Sequence, residues 1–550
     1  MAIRHLYSSS NIGFMSINTL LPSKVPGWLA PLKSFPVFRG LWSTWLVANI
    51  CMYTNDVAAA WMMTSLTTSA TLIALVQTAA NLPVLLLGVP SGALADILNR
   101  KHFLVFTQLW LAVNATLLFF SSAFDLLNPT FLLILTFING IGLAMRWPVY
   151  AAIVPDLVPR DSLHLALGLN SIAMNASRIL GPLIAGLIIA SIGTEFVFAL
   201  NMILSLGMIW IVVRWKNESY VSTLPGERFF GAMRLGAQYI RQSKPMRSIL
   251  LRSFLFFMQS SSLLALLPVI AKDHFHGNAN TFTLLLSCLG FGAILVGSQL
   301  QTIRARWNPN QLATYGIIFL SLSSVGVVLV PNIWYAAPLM VMCGMSWFSV
   351  GNSLSTASQL SLPNWIRARG MSFYQMSLMG GSALGAFVWG KITTSHNVTV
   401  SICLSAVFGL VMLVLIRKHP VNGHEVEDLT PVCPIERPHP SRDIDPDEGP
   451  VMISMEYHVN KGHVEPFKKL MAKTRRSRLK QGALSWSLFE DAEHAGKFLE
   501  YFVFETWADY LRRFDRFTAD DLAMQEERHR FHIDSSPPKL TRRIASALKS

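Results

Sequence analysis

The stretch GALADILNRK, residues 92–101, joins two long apolar runs, which lie near residues 70–94 and 102–124. A helix needs about 20 mostly apolar residues to cross a bilayer, so each run predicts a membrane-spanning helix. Lysine and arginine in short loops mark the cytoplasmic side of a membrane protein. Arg100 and Lys101 therefore predict a tight cytoplasmic loop between two spans of a polytopic membrane protein.

The composition of the whole chain supports this membrane class. Hydrophobic residues make up 52% of the 550 residues and charged residues only 14%, whereas soluble domains carry about 25% charged residues. These fractions exclude an ordinary soluble enzyme and a disordered protein. The five cysteines show no paired or metal-ligand spacing, so we expect neither a disulfide scaffold nor a metal or other cofactor. The net charge of +14 lies mostly in short loops, so we expect no nucleic-acid partner.

Twelve apolar runs of spanning length occur along the chain. They lie near residues 38–64, 70–94, 102–124, 131–154, 164–190, 193–213, 248–271, 282–302, 311–330, 333–356, 372–395 and 398–417. Lysine and arginine cluster before the first run and after each even-numbered run. This alternation predicts that both termini are cytoplasmic, in a bacterial-type inner membrane. Residues 1–35 contain no long apolar run, so no cleaved signal peptide is expected there.

A long basic loop divides the twelve runs into two sets of six. The fourth run ends in AAIVPDLVPR, residues 151–160, and the tenth ends in LSLPNWIRAR, residues 360–369, so the two sets also resemble each other. Two parallel six-helix repeats around a central site are a known transporter plan. We predict an N-terminal cytoplasmic segment, a six-helix half, a central cytoplasmic loop, a second half, a proline-rich acidic linker and a cytoplasmic domain. Their bounds are 1–35, 36–213, 214–247, 248–417, 418–450 and 451–550.

Residues 92–101 resemble the signature of the loop between helices 2 and 3 in the major facilitator superfamily. The resemblance implies an all-α membrane fold of twelve helices in two six-helix repeats, with a cytoplasmic gate at this loop. Gly92 would allow close helix contact, and Asp96 would face a helix N-terminus. Arg100 and Lys101 would pair with carboxylates or lipid phosphates. A simple topology anchor is the alternative interpretation of these residues, and the two are compatible.

The fifth run carries a spaced set of small residues. They fit the exporter signature of the superfamily, G-x8-G-x3-GP-x2-GG, with two glycines replaced by other small residues. The matching positions are Gly168, Ser177, Gly181, Pro182, Ala185 and Gly186. Small residues let helices pack closely and proline bends a helix. In the superfamily such a span accompanies efflux by antiport, so the motif favours export; generic helix packing is the alternative.

Further stretches resemble the enterobactin-exporter branch of the superfamily, also called transmembrane secretion effectors. They are FRGLW at residues 38–42, VPDLVPR at 154–160 and RILGP at 178–182, and the resemblance covers residues 36–417. The chain departs from drug exporters at Thr136, which stands where those proteins usually carry an arginine. The proton-relay role of that arginine is therefore not carried over to this chain.

Ionisable residues inside a membrane span are costly and usually face a cavity or a partner. Asp56 is the only carboxylate in the interior of a run, which makes it the leading candidate for proton coupling. A hydrated structural position at the outer interface is the alternative. Arg146 and Arg178 would attract an anionic, oxygen-rich ligand if they face a cavity, or would lock the bundle by pairing with Asp56 or with backbone carbonyls. Further polar candidates for the transport path, each equally suited to helix contacts, are Asn49, Asn175, Gln259 and Tyr374.

Residues 451–550 have the composition of a soluble domain. Period-two alternation predicts a strand at 451–459, followed by a helix. Two more strands, near 483–490 and 497–505, precede a long charged helix that begins near Thr506. This order resembles the ferredoxin-like α+β domain of antibiotic-biosynthesis monooxygenases, which pairs into dimeric barrels. Dimerisation, regulation or ligand sensing is favoured over catalysis, because no nucleophile–base pair or metal spacing stands out among the histidines of the domain.

Three functions fit these patterns. A proton-coupled exporter of a small polar metabolite, such as a siderophore or a drug-like compound, fits the exporter motif and Asp56. An importer of the same fold is the second. A membrane-tethered monooxygenase-like enzyme is the third, but an anchor does not need twelve spans, so we expect that the protein is not an enzyme. The chain has no GxxxxGK[ST] loop for ATP, so the expected partners are a small-molecule substrate, protons and the lipid bilayer.

Overall fold

The computed structural model of the protein describes residues 30–215, 229–363, 365–418, 428–432, 438 and 440–546. The part up to residue 418 is helical, and the part after residue 450 contains a small sheet. Residues 1–29, residues 419–427, 433–437 and 439 of the predicted linker, and residues 216–228 of the predicted central loop lie outside the described residues.

Each of the twelve apolar runs coincides with a long helix. The first half comprises α1 (Ala30–Ser34), α2 (Pro36–Leu66), α3 (Ala70–Ile97), α4 (Arg100–Ala123), α5 (Pro129–Leu157), α6 (Arg160–Ser191) and α7 (Glu195–Arg214). The second part comprises α8 (Phe229–Gln242), α9 (Lys244–Val269), α10 (Ala279–Arg306), α11 (Pro309–Leu329), α12 (Ile333–Leu360), α13 (Arg367–Ser395) and α14 (Val398–Leu415). Five consecutive residues after α9, Ile270–His274, form a turn of π-helix.

Ten helices in the described part of the chain are long and apolar enough to cross a membrane. The two long helices outside this set are α2 and α13. Both are interrupted by polar side chains, among them Asn49, Asn55 and Asp56 in α2. A polar helix is expected where the bundle lines an internal site, because polar groups at membrane depth face the protein interior.

Side-chain caps define where several of these helices begin. The Asn99 side-chain oxygen accepts hydrogen bonds from the backbone N–H groups of Lys101 and His102, at 3.1 and 3.3 Å. Asn308 and Gln311 form a reciprocal capping box at the start of α11, where Pro309 is the first helical residue. Asparagine caps and a first-turn proline satisfy or remove N–H groups that have no partner within the helix.

Glycine allows two helices of the second half to pack backbone against backbone. A Cβ atom built on Gly344 of α12 would overlap the carbonyl group of Leu289 in α10. In return, a Cβ atom on Gly292 would overlap the carbonyl group of Val341. Small residues permit such close approach in membrane bundles, where packing rather than hydrophobic collapse drives helix association.

The two halves meet along α3–α13 and α6–α10. Two contacts lie at the ends of these helices opposite the basic loops. Between α3 and α13, the hydroxyl oxygens of Thr71 and Thr394 lie 2.7 Å apart. Between α6 and α10, the Thr283 hydroxyl donates to the Gly186 carbonyl oxygen at 2.9 Å. Nearer the middle, the Gln77 side chain donates to the Ser382 hydroxyl oxygen at 2.8 Å. The halves are therefore joined by side-chain hydrogen bonds at the end opposite the basic loops.

The C-terminal part is a four-stranded antiparallel sheet with helices on one side. Its elements are β1 (Val451–His458), α15 (Val464–Lys480), β2 (Ser485–Glu490), β3 (Lys497–Phe504), α16 (Trp507–Asp515), α17 (Ala519–Phe531) and β4 (Lys539–Ile544). The strand order is β2-β3-β1-β4. Alternate strand residues form the core with the helices: Val451, Ile453, Tyr457, Phe498, Phe502 and Phe504.

Three local expectations differ from the structure. The predicted long helix from Thr506 is two helices, because Thr518 caps a new helix by a reciprocal box with Asp521. Strand β4 was not predicted, although its alternating residues pair with β1. The predicted central loop contains helix α8. Part of the predicted linker packs on the C-terminal sheet domain, because the Thr430 carbonyl oxygen accepts a hydrogen bond from the Ala519 N–H at 3.0 Å.

Candidate substrate site between the two halves

Arg178 on α6 lies where three helices from both halves converge. Its Nε donates a hydrogen bond to the Tyr53 hydroxyl oxygen on α2, at 3.2 Å. Its guanidinium carbon lies 5.2 Å from the centroid of the Trp347 ring on α12. Arg178 therefore contacts aromatic side chains from both halves of the helical part.

Arg146 on α5 occupies a second, more buried position in the first half. It donates to the Ala48 carbonyl oxygen at 3.3 Å and to the Asn49 side-chain oxygen at 3.4 Å. Its guanidinium carbon lies 5.8 Å from the Trp45 ring, which stacks on Tyr150 at 4.1 Å between centroids. The Arg146 Nε atom is buried and has no hydrogen-bond partner in the described part of the chain. The guanidinium is thus held by neutral oxygens and aromatic faces.

Asp56 lies on α2, one helical turn beyond Tyr53. Its side chain is partly exposed, but its Oδ1 atom is buried and has no hydrogen-bond partner among the described residues. Within the described residues no ion pair joins Asp56 to Arg146 or Arg178, and of the predicted locking contacts the pairing with a carbonyl is made, by Arg146 with Ala48 on α2. A buried oxygen without a partner is a place for a proton, a water molecule or a ligand.

The other predicted path residues do not all gather at this site. Asn175 is partly exposed and lies on α6, three residues before Arg178. Tyr374 is buried and donates to the Gly351 carbonyl oxygen at 3.2 Å. Gln259 is buried, donates to the Ser321 hydroxyl oxygen at 2.7 Å and packs against Gly409. Gln259 therefore joins helices of the second half and does not contact the arginines.

The small residues predicted as an exporter motif lie along α6, and most make close contacts. A Cβ on Gly181 would come within 2.5 Å of the Tyr53 Cβ, and the Ser177 hydroxyl donates to the Leu46 carbonyl at 3.2 Å, so α6 packs tightly on α2. Gly186 packs on Thr283 of the second half, and Pro182 lies inside the helix. Apart from the neighbouring backbone of α6, no atom of the described residues lies within 4 Å of a Cβ built on Gly168, so the motif makes no close contact there at its first position.

The predicted cytoplasmic gate residues surround the turn from α3 to α4. Helix α3 ends at Ile97 and Arg100 is the first residue of α4, followed by Lys101. A Cβ on Gly92 would lie 3.9 Å from Pro148 and 4.0 Å from Ser372, which is ordinary contact, so the expected tight approach is absent here. The side chain of Asp96 lies outside the described residues.

Charged side chains fill the core of the C-terminal sheet domain. Glu500 is fully buried and accepts from Arg478 at 3.0 Å, from the Trp486 ring N–H at 2.9 Å and from the Tyr457 hydroxyl at 3.0 Å. Burial opposes ionisation of Glu500, but the nearby Arg478 and Arg528 guanidiniums outweigh it and lower the pKa of this carboxyl to about 2. Trp486 thus helps to hold a structural ion pair.

The histidines of this domain connect its chain segments. The Nδ1 atom of His458 lies 2.6 Å from a carboxylate oxygen of Asp534, and the His532 Nδ1 accepts from the His458 backbone N–H at 3.0 Å. His494 lies 3.4 Å from Asp491 at an exposed turn. The described residues hold no group of three or more histidine, cysteine or acidic side chains placed to bind a metal ion.

Two residues of the site were missed in the sequence. Tyr53 and Trp45 lie on α2 at intervals of four residues from Asn49, and the interval from Tyr53 to Asp56 is three. This helical spacing places Trp45 and Tyr53 on the same face of α2 as Asn49 and Asp56. It is the feature of the sequence from which the two aromatic residues could have been found. Contact with Arg178 and Arg146 depends on neighbouring helices, which spacing within one helix does not reveal.

Comparison with known families places these features in context. Residues 26–549 match the description of a family of transmembrane secretion effectors. The chain belongs to the transmembrane secretion effector family. This family lies in the major facilitator superfamily, as the loop and helix motifs indicated. The match also covers the C-terminal sheet domain, which extends the resemblance beyond the expected residues 36–417.

Two relatives of this secretion effector are transporters, and their sequence identity to this chain is low. The staphyloferrin A transporter of Staphylococcus aureus is 24% identical over 413 residues, which cover 72% of this chain and 98% of that protein. Macrolide efflux protein A of Streptococcus pyogenes is 26% identical over 249 residues, or 44% of this chain. The matched region spans 60% of the length of that protein.

Solved structures share the fold of the helical part. The nucleoside transporter NupG aligns with a TM-score of 0.57 and 12% identity, covering 70% of this chain and 99% of that chain. A bacterial homologue of the human lysosomal transporter Spinster, inward-facing and unoccupied, aligns with a TM-score of 0.54 and 15% identity over 72% of this chain and 98% of that chain. At these identities the likeness establishes the fold.

Proposed function

We propose that this secretion effector is a secondary active transporter that exports a small, anionic, oxygen-rich metabolite, such as a siderophore, in exchange for protons. The observation that carries the proposal is Arg178, which lies in contact with Tyr53 of the first half and Trp347 of the second. A drug-like compound is the second candidate substrate, because one relative is a macrolide efflux protein.

The charges of the candidate site support an anionic substrate. Arg146 and Arg178 form no ion pair with a carboxylate among the described residues, and the partners they do have are carbonyl, amide and hydroxyl oxygens. An unpaired buried charge is costly, and an anionic ligand would offset that cost. The planar guanidinium matches carboxylate and similar oxygen groups through two parallel hydrogen bonds. Trp347 would stack on a flat part of the same ligand.

Asp56 is the proposed coupling group, and protons are the proposed driving ions. A carboxylate can take up a proton on one side and release it on the other when its surroundings differ between the two states. In this structure the Oδ1 atom is buried without a partner among the described residues, which favours the protonated carboxyl. A second state in which water or an arginine reaches Oδ1 would favour release of the proton. Asp96, Arg100, Lys101 and Gly92 form the proposed cytoplasmic gate, which must open for the substrate to enter.

All twelve long helices are proposed to span the membrane, including α2 and α13, with both termini and the sheet domain on the cytoplasmic side. The basic loops support this orientation. The cell inner membrane is the proposed location. The polar face of α2 fits a span that lines the substrate site, because it carries Asn49, Tyr53 and Asp56 towards the bundle interior.

The C-terminal domain is proposed to have a ferredoxin-like fold without a catalytic role. Its β-α-β-β-α-β order, with one extra helix, and its strand order support that fold. The side of the sheet away from the helices carries Phe489, 52% exposed, and Leu499, 37% exposed, and Phe489 stacks on Tyr501. This apolar surface supports dimerisation through the domain, in which the two sheets would pack face to face.

Transport by membrane vesicles distinguishes export from import. Inside-out vesicles that contain the protein and have an acid lumen should accumulate the substrate, because each proton that leaves the lumen drives substrate inward. The compounds to compare are staphyloferrin A, a macrolide and a small tricarboxylate. A protonophore should abolish accumulation. Uptake that occurs only in right-side-out vesicles with acid outside would instead identify an importer, and uptake of the macrolide alone would contradict an anionic substrate.

A further inference from the structure

We propose that the C-terminal sheet domain is a built-in brake on the movement of the two halves against each other, which acts by binding helix α8 and the turn before α13. The proposal rests on the proposed transport function and goes beyond it, because it gives the sheet domain a mechanical role. Its basis is a set of contacts between the sheet domain and the helical part.

The first contacts join the sheet domain to α8. Arg234 on α8 forms an ion pair with Glu505, which follows β3. The Gln238 side chain donates to the Ala483 carbonyl oxygen at 2.6 Å. Leu235 is 6% exposed and lies beside Gly482, where a Cβ would come within 3.2 Å of the leucine. Charged, polar and apolar groups of one face of α8 thus all contact the sheet domain.

Further contacts join the sheet domain to the turn between α12 and α13. The Arg516 guanidinium carbon lies 5.0 Å from the Trp365 ring centroid, and the same side chain donates to the Gln481 carbonyl oxygen at 2.8 Å. Trp365 in turn contacts the edge of Tyr239 on α8, which is 2% exposed. The Lys480 ammonium lies 5.8 Å from the Tyr239 ring. Cations of the sheet domain therefore cover two aromatic rings at the base of the second half.

Helix α8 also contacts both halves of the transporter. It packs against α3 of the first half and α13 of the second, where a Cβ on Gly236 would lie 3.2 Å from the Phe373 ring. Leu235 and Tyr239 belong to the same buried apolar cluster as residues of the bundle. Alternating access requires the two halves to move against each other. Because the sheet domain is bound to α8 and to Trp365, it resists that movement.

Charge reversal tests this brake without removing any buried side chain. Arg234→Glu and Glu505→Arg each place like charges together, whereas the double variant restores an ion pair in the reversed order. We expect each single reversal to raise the transport rate about threefold and to speed hydrogen exchange in α8, and the double variant to restore both. The matched control is Lys468→Glu, because Lys468 forms a similarly exposed ion pair with Glu490 at 3.0 Å within the sheet domain.

The two measurements separate the possible failures. Unchanged hydrogen exchange in α8 in both single variants would overturn the docking itself, whatever the transport rate. Faster exchange with an unchanged or lower transport rate would overturn the brake and leave docking as a purely structural contact. A wild-type protein that transports nothing in the vesicle assay would contradict the proposed function, while the exchange data would still decide whether the domain docks.

Discussion

Replacement of Arg178 by glutamine is expected to lower kcat/KM for the transported anion by about 30-fold or more. Glutamine keeps a polar side chain of similar reach but removes the charge that contacts Tyr53 and Trp347. The loss should fall mainly on KM, because the proposed role is to bind substrate. The measurement is the substrate dependence of the initial uptake rate in inside-out vesicles with an acid lumen.

Arg214→Gln is the matched control for this prediction. Arg214 is exposed at the end of α7, where its guanidinium carbon lies 3.9 Å from the Trp210 ring on the outer face. It should leave kcat/KM within about twofold of wild type, as surface substitutions usually change little. Equal KM values for Arg178→Gln and wild type, at equal protein abundance, would remove Arg178 from the substrate site.

Asp56→Asn should abolish uphill efflux and preserve downhill exchange of the substrate. Asparagine has the shape of the carboxylate but cannot take up and release a proton. Without that proton the gradient cannot drive accumulation, yet the halves can still exchange substrate across the membrane. The measurement compares accumulation under a proton gradient with exchange of labelled for unlabelled substrate in the absence of a gradient.

Asp125→Asn is the control, because Asp125 is an exposed carboxylate in the turn between α4 and α5. It should retain both activities. Full uphill efflux by Asp56→Asn would show that the coupling proton binds elsewhere in the protein or on the substrate. Loss of exchange as well as of accumulation would instead assign Asp56 to substrate binding or to folding.

Local patterns predicted most of the fold. The twelve apolar runs coincide with helices because length and hydropathy are properties of a single segment. Strands β1, β2 and β3 were predicted for the same reason. Strand β4 was missed because its residues, KLTRRI, are mostly polar, and it forms a strand by pairing with β1. Where the local propensity to form a strand was weak, pairing with a distant strand therefore determined the secondary structure.

The candidate site was predicted only in part. Arg146, Arg178 and Asp56 stood out in the sequence because an ionisable group within an apolar run is rare. Which groups contact each other depends on helix rotation and on partners far along the chain. Asn49 contacts Arg146 over a separation of 97 residues, and Tyr53 contacts Arg178 over 125. For this reason the sequence left open whether the arginines pair with Asp56 or with carbonyls, and in the structure Arg146 donates to the Ala48 carbonyl.

Alternating access at Arg178 can be measured without knowledge of the substrate, by asking whether a residue beside Arg178 is exposed to each side of the membrane in turn. Asn175→Cys, in a chain without other cysteines, would be treated with a membrane-impermeant thiol reagent in inside-out and right-side-out vesicles. Gly168→Cys is the control, because this position lies in open space nearer the basic-loop end of α6. We expect the reagent to label a cysteine at position 175 from both sides of the membrane, and a cysteine at position 168 from the cytoplasmic side alone. Labelling of position 175 from only one side, with or without a proton gradient, would contradict a substrate site that the two halves expose in turn.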